Sequence, residues 1–506
     1  MDYAGGMDVK QLKDDVLQGR IGVDRLIDVI AALQRQLQAA NKQIDELKKR
    51  IDELEKRATA KTNEPFSVRA EEQRQEARGK RRRKRNKPAR RGRVNTADKV
   101  AKATLTESVY PEGVAREDCW LSHTRPVWRL QGGRAVLIAY QIYRGPNNRY
   151  GKIPGVLGRS EFGLEIVLAI AYQVYFVGLS FDKVCAMLMF FQNLRLKKSQ
   201  VDSLLYQLAR SWKGEFDVLC TLLSHSAVVH ADETSWSLNS VWAMLSESAR
   251  VLLFGVHKDA DTLQTLLDPA TFAGIVISDD AAVYANFTHA QKCWAHLLRK
   301  AIKLTLMEPA NKVYRHLTDR LLEIYHAACR AQRDGRLSDA GRALKVAALE
   351  AKLLDLCEPV WFAESRKLTG AADDHRLLCE ELMRLLFEQQ LFTFVTAAPV
   401  ATPLGETQPV AGTNNEAERT LRASANARKT GRTNKTMLGA RRQTIVVSVI
   451  ESLRQYLPAF TLTGIIDEVE RWRNAGQSCF SRQLDKLKLS PPIRSILDQI
   501  LPLPEK

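Results

Sequence analysis

Ala227-Val-Val-His-Ala-Asp232 and Gly274-Ile-Val-Ile-Ser-Asp279 are the two stretches on which the reading of this chain turns. Both are short runs of small and β-branched apolar residues without Pro, the pattern of strands buried in the middle of a sheet, and both end on an aspartate. Taken singly, such an aspartate is commonly a turn former. Two of them on strands of one sheet, with a further acid brought alongside, make a different kind of site. That further acid is Glu418, in Asn414-Asn-Glu-Ala-Glu-Arg419. It opens a polar and basic stretch running to Lys429 without Pro or Gly, which is expected to be a helix leaning on the sheet. Asp232, Asp279 and Glu418 would then converge on Mg²⁺ or Mn²⁺, hard cations that take oxygen ligands, with two ions expected. Paired ions about 3.5 to 4 Å apart activate an attacking oxygen and stabilise the leaving oxygen of a phosphodiester.

Around these acids, residues 226–300 read as strands at 227–238, 241–249, 250–257 and 274–279, a helix from Asp261, and a short strand before Cys293. Hairpins followed by a crossover helix and a parallel strand give a mixed sheet flanked by helices. Residues 301–410, rich in Leu, Ala, Lys and Arg, read as an α-helical insertion filling the 139-residue gap between Asp279 and Glu418. Residues 411–456 return to the core with the Glu418 helix and an apolar helix from Thr444 to Tyr456. The last segment, 457–506, reads as a small helical tail.

Several motifs follow one another along this stretch: His230-Ala-Asp-Glu-Thr234, Ser278-Asp279 with Tyr284, Cys293-Trp-Ala-His-Leu-Leu-Arg-Lys300, and Asn414-Asn-Glu-Ala-Glu-Arg419 with Arg428-Lys429. The succession resembles the DDE transposases of bacterial insertion sequences, specifically the insertion sequence 66 type, over roughly residues 155–300 and 410–455. The resemblance implies an α/β ribonuclease-H-like catalytic core and a divalent-metal triad of Asp232, Asp279 and Glu418. It also implies DNA cleavage followed by strand transfer, with double-stranded DNA as partner and small companion proteins beside it. Where relatives often carry Gly after the second Asp, this chain has Asp280, so Asp280, Glu233 and Glu416 remain rivals for the three positions. Neighbours on a strand point to opposite faces, so only one of each strand pair can serve. The Cys-x-x-Cys module common in relatives is absent. A non-catalytic DNA-binding descendant and a ribonuclease-H-like nuclease without strand transfer share most of these features.

Cys293-x-x-His296 has the spacing of half a zinc site, but a structural zinc needs four ligands and no second pair lies at suitable spacing. A packing role is expected for Cys293 and Trp294, with stacking of Trp294 on an unpaired base as the alternative. His296 is expected near the acids or the DNA. His230 shares a strand face with Asp232 and is placed to orient it or to meet a phosphate. Beyond Glu418, Arg419, Arg422, Arg428 and Lys429 are candidate phosphate contacts on the same helix.

The chain has 506 residues, with 76 Lys and Arg against 58 Asp and Glu, for a formal charge of +18. A positive field of this size favours a polyanionic partner. The apolar fraction of 45% is ample for several cores. Eight scattered cysteines without a Cys-x-x-Cys pair, and no secretory leader, point to free thiols in a reducing compartment, which the resemblance implies is the bacterial cytoplasm. The apolar run from Phe162 to Leu179 contains Glu165 and Gln173 and reads as a buried helix, leaving no membrane partner.

At the N-terminus, Ile30, Leu37, Ile44 and Ile51 fall at one heptad position and Leu26, Leu33, Ala40, Leu47 and Leu54 at the other. Residues 1–57 are therefore expected to form a coiled coil through which the chain dimerises or builds a larger assembly. Residues 58–110 lack apolar periodicity and include Lys80, Arg81, Arg82, Arg83, Lys84 and Arg85 in a block with ten basic residues among fourteen, 80–93. Such a self-repelling arm is expected to be disordered in isolation and to hold DNA by counterion release. Residues 111–225 are expected to be a mainly helical DNA-binding domain after β-prone pieces near 135–143. Within it, a helix capped by Ser180 and another capped by Ser199 with Asp202 and running to about Trp212 would form a helix-turn-helix, with Gln200 and Ser203 near a major groove.

Overall fold

The computed structural model describes residues 95–361 and 369–502, together with 41–50 and positions 31, 34 and 38. The chain divides into two units, Met1–Glu76 and Ala77–Lys506. In the first, residues 41–50 are helical, with Ile44 and Leu47 exposed. The rest of the heptad stretch and the basic block at 80–93 lie outside the described residues, so neither the coiled coil nor the DNA-binding arm is established.

The second unit is a mixed α/β structure. Its central sheet has five strands: β4 (Val228–Ser235), β5 (Ser240–Ser246), β6 (Arg250–Val256), β7 (Ile275–Ser278) and β8 (Ala290–Lys292), in the order β6-β5-β4-β7-β8. The first three form an antiparallel meander, and β7 and β8 add in parallel beside β4. The expected strands are therefore present, and the mixed sheet is compatible with a ribonuclease-H-like core. The crossover between β6 and β7 carries a short helix, Ala260–Gln264, whose N-cap Asp259 accepts from Thr262 N at 2.8 Å.

Alternation along β4 divides the core. Val229 and Ala231 pack with Val276 against the larger hydrophobic cluster. Val228 packs with Ile275 and Ile277 against the cluster built by the insertion. Because side chains alternate with period two, His230 and Asp232 fall on the insertion's face and Glu233 on the other.

Helix α1 (Leu164–Tyr175), α2 (Phe181–Gln192) and α3 (Lys198–Ser224) cover the first face. The apolar run at 162–179 holds α1, buried from Leu164 to Ala171 apart from half-buried Ala169, while Tyr172 and Val177 are exposed, and among the described residues no helix is long and apolar enough to cross a membrane. Ser180 caps α2 as expected, accepting from Lys183 N at 3.4 Å. The helix expected to stop near Trp212 instead continues as α3 to Ser224, because Phe216, Leu219, Leu222 and Leu223 extend its apolar stripe into the core. Its N-cap is Lys197 rather than Ser199 or Asp202. The residues expected to face a groove serve the helix's own first turn: Gln200 Oε1 accepts from Lys197 N at 3.0 Å and Ser203 Oγ donates to Ser199 O at 2.7 Å. The region before α1 is also less helical than expected. It holds a three-stranded sheet of β1 (Leu105–Val109), β2 (Trp120–Gln131) and β3 (Arg134–Arg144), in the order β1-β3-β2 over a small core of its own.

The insertion follows β8 as α4 (Trp294–Met307), α5 (Lys312–Arg333), α6 (Asp339–Trp361) and α7 (Ala371–Phe387), then a two-stranded hairpin of β9 (Val400–Ala401) and β10 (Thr407–Gln408). It is pinned to the sheet through Gln291, fully buried, whose side chain donates to Leu391 O at 2.9 Å and accepts from Phe394 N at 3.0 Å. The chain returns as α8 (Asn415–Lys429), which lays Ala417 and Leu421 on Val241, Ala243 and Leu245 of β5.

Helix α9 (Met437–Tyr456) begins seven residues before the expected Thr444, capped by Thr436, so Gly439 lies in its first turn. It also solves an edge problem. The outer side of β6 would leave three backbone N–H groups unpaired. Thr444, Ser448 and Ser452, one helical turn apart, accept from Phe254 N at 3.0 Å, Leu252 N at 2.9 Å and Arg250 N at 2.9 Å. The C-terminal segment is more than an appendage: α10 (Leu462–Ala475) and α11 (Cys479–Lys486) place Val469, Trp472, Phe480 and Leu484 in the same core as α3.

Candidate active site

The parallel register of β4 and β7 pairs Val228 with Ile275, Val229 with Val276 and His230 with Ile277. Asp232 follows two residues later within β4, and Asp279 is near enough for its charge to act on the Asp232 carboxyl. Asp279 stands just past the end of β7, where its Oδ1 accepts from Ala281 N at 3.1 Å. Asp232 Oδ1 accepts from Glu233 N at 2.9 Å. Glu418 sits in the first turn of α8, the helix that crosses β4 and β5.

Asn414 holds these elements together. It is fully buried, its Nδ2 donates to Ala231 O at 2.8 Å, and its backbone N–H donates to Cys293 Sγ at 3.1 Å. One residue thus ties the start of α8 to the strand position beside Asp232 through its side chain and to the start of α4 through its backbone. Asn414 was visible only as part of a motif; nothing in the spacing marks it as the joint.

Burial pushes the Asp232 carboxyl up to about 7, and the charges of Glu233, Asp279 and Glu418 push in the same direction. Asp232 therefore feels the charges of Asp279 and Glu418, a repulsion that a divalent ion held among them would offset. Asp232, Asp279 and Glu418 offer the oxygen donors that Mg²⁺ or Mn²⁺ takes, but their ligand atoms are not gathered within 4.8 Å of one another.

The three rivals are engaged elsewhere. Glu233 points to the opposite face, where its side chain is 2% exposed, 2.7 Å from Lys258 Nζ, and accepts from the Tyr284 hydroxyl. Burial and Glu233 together push the Tyr284 phenol well up. Asp280 pairs with Arg384 of α7, and Glu416 with Arg250 of β6.

Glu418 itself is held to one side. Arg299 Nη2 donates to both its oxygens at 2.9 Å, and His296 Nδ1 lies 3.6 Å from Oε1. Among the described residues, the cluster whose ligand atoms all fall within 4.8 Å of one another is Cys293, His296 and Glu418. The partnership of Arg299 with the third acid was hidden in the sequence, since 119 residues separate the two.

A cleft of about 960 Å³ opens beside these groups, lined by Asp279, Lys292, Cys293, His296, Lys300 and, from α7, Glu380, Glu381 and Arg384. The insertion therefore supplies its far wall. Lys292 escaped sequence reasoning altogether. It is buried on β8 at 4% exposure, with Nζ 3.2 Å from Asp279 O and 3.4 Å from Ser278 Oγ and lying over the Tyr284 ring at 5.8 Å. Burial lowers its pKa.

The remaining candidates divide. Trp294 is fully buried, donating from Nε1 to Leu391 O at 2.7 Å and packing on Tyr325 and Phe392, so it faces the insertion core rather than the cleft. His230 is mostly buried, which lowers its pKa, and it lines a second hollow with Arg250 and Glu416. Arg419, Arg422 and Lys429 are exposed along α8. Arg428 is half-buried and donates to Ser235 O at 2.7 Å, tying α8 to the end of β4.

No curated protein matches the chain. The sequence profile described as the transposase IS66 family matches residues 159–442, more than half of the chain and a span that takes in all three acids and the insertion between them. The chain belongs to the IS66 transposase family.

Proposed function

We propose that this transposase is a metal-dependent enzyme with a ribonuclease-H-like core, which cleaves DNA at the ends of a mobile element and joins the freed 3′-hydroxyl to target DNA. The observation that supports this reading is that Asp232 lies near enough to Asp279 and Glu418 for the charges of both to raise its pKa. Mg²⁺ or Mn²⁺ held by Asp232, Asp279 and Glu418 would supply a Lewis acid that activates the attacking oxygen and stabilises the leaving one.

The chain's own residues do the rest. Asp232 and Asp279 must be ionised to serve as ligands. Glu418 must turn from Arg299 toward them, which frees the Arg299 guanidinium, half-exposed at 52%, for a phosphate. Lys292 presents an ammonium to the cleft from the buried end of β8. Arg419 and Arg422 continue the helix that carries Glu418 and would hold the strand leading to the cut. In this account the N-terminal heptads bring two copies together, small companion proteins of the same element assist, and the work is done on the bacterial nucleoid.

The test is Mg²⁺-dependent nicking of DNA that carries the element's ends, with EDTA as control. Nicking that persists in EDTA contradicts the reading.

DNA affinity is expected to separate from chemistry. Deleting residues 80–93 should weaken binding and flatten the dependence of log K on log salt, and Arg422→Ala should lower that slope by about one. A fluorescence-anisotropy titration at several salt concentrations measures both. An unchanged slope in the deletion would reduce the block to a linker.

A further inference from the structure

We propose that Cys293, His296 and Glu418 form a site for Zn²⁺ that competes with catalytic metal for Glu418 and so holds the enzyme silent. The inference rests on Glu418 being the third metal-binding acid. Cys293 is the N-cap of α4 and His296 stands in its first turn, so the Cys-x-x-His spacing brings thiol and imidazole to one end of one helix. The sequence offers that pair no further ligand nearby. The fold brings one from 122 positions beyond His296: Glu418, whose Oε1 is 3.6 Å from His296 Nδ1.

All three ligand atoms lie within 4.8 Å of one another. Ligands around a tetrahedral zinc stand about 3.3 to 3.8 Å apart, given Zn–N, Zn–O and Zn–S distances of about 2.0 to 2.3 Å. The His–Glu separation already meets this, and the sulfur needs a movement of about 1 Å or less. A second observation points the same way: His296 Nδ1 is shielded from solvent and has no hydrogen-bond partner. The sulfur is fixed by the N–H of Asn414.

Three protein ligands with an open side are the arrangement of a zinc that keeps a water, and here the open side is the cleft that Cys293 and His296 line. Thiolate and imidazole select Zn²⁺, whereas Mg²⁺ takes oxygen and octahedral geometry. Binding releases the Cys293 thiol proton to solvent and displaces Arg299 from Glu418. Glu418 drawn toward His296 and Cys293 is held away from Asp232 and Asp279, so the two metals compete for it.

The full-length protein, without DNA, is titrated with Co²⁺ as an optical stand-in for Zn²⁺. Wild type should show a thiolate-to-cobalt charge-transfer band, abolished by Cys293→Ser and weakened by Glu418→Gln. His296→Ala, at a residue one-third exposed, provides a second variant if Cys293→Ser fails to fold. In the nicking assay Zn²⁺ should inhibit at fixed Mg²⁺, and His296→Ala should raise the inhibiting Zn²⁺ concentration at least tenfold. A band that is absent from wild type, or that survives Cys293→Ser, overturns the site. A band without inhibition of an active enzyme overturns the competition. A band in a preparation that never cleaves DNA supports the site and counts against the catalytic reading instead.

Discussion

Asp232→Asn is expected to lower Mg²⁺-dependent cleavage by more than about 100-fold while making the metal-free protein more stable. Groups that merely orient metal ligands are worth about 10- to 100-fold, and a ligand itself should exceed that. The stability gain follows from burial. The Asp232 carboxyl is pushed up to about 7 from its ordinary value of 3.8, so the fold favours its neutral form. An acid whose folded pKa is raised costs nothing below its unfolded pKa, loses stability as pH climbs from about 4, and bears the full cost above about 7. That cost is on the order of 2 kcal/mol once relaxation of the surroundings is allowed for. Asparagine keeps the acceptor for Glu233 N and never ionises. In EDTA at pH 8, Asp232→Asn should therefore melt a few degrees above wild type, and at pH 4.5 the two should converge. The same linkage makes Mg²⁺ affinity fall by about tenfold per pH unit below about 7, because only the ionised form is a ligand. Melting curves against pH, with and without Mg²⁺, decide both points. A difference in Tm independent of pH would show that Asp232 is not strained by its charge.

Asn414→Ala is the other change expected to act strongly, although Asn414 touches no reacting group. Removing its amide leaves Ala231 O without a partner in the buried core, a cost of about 1 to 3 kcal/mol. It also releases the start of α8 from β4, and with it the position of Glu418 relative to Asp232. A misplacement of about 1 Å in a catalytic group costs about 100-fold in rate. Asn414→Ala should therefore lose cleavage by one to two orders of magnitude with DNA affinity nearly intact. Asn415→Ala, at the exposed neighbouring position, should behave as wild type. Equal losses in the two would assign the effect to the helix end as a whole. Loss of DNA binding together with cleavage would mean that Asn414→Ala unfolds the unit.

The strands that carry Asp232 and Asp279 were legible because a buried strand needs an unbroken apolar run and a rigid end, and both leave a mark in local sequence. The alternation of β4 was legible for the same reason, so the opposition of Asp232 and Glu233 could be stated before their partners were known. What local pattern cannot carry is pairing at a distance. The bond from Arg299 to Glu418, the amide of Asn414 on Ala231, and the hydroxyl ladder of Thr444, Ser448 and Ser452 on β6 each join residues more than one hundred positions apart. Helix length failed at α3 for a related reason. The helix was expected to end near Trp212, whereas tertiary packing of Phe216 to Leu223 extends it. Lys292 gave no signal because a lone lysine on a three-residue strand has no pattern to break.

The central claim is that Asp232, Asp279 and Glu418 act as one metal-binding set that both cuts and joins DNA. Its most direct test is a cleavage and strand-transfer assay on DNA carrying the element's ends, with Mg²⁺ and the companion proteins supplied, comparing wild type with Asp279→Asn and Glu418→Gln. The account predicts nicked and joined products with wild type and neither product with either variant, all three binding the DNA alike. Joined products formed by Asp279→Asn or Glu418→Gln at the wild-type rate would contradict it.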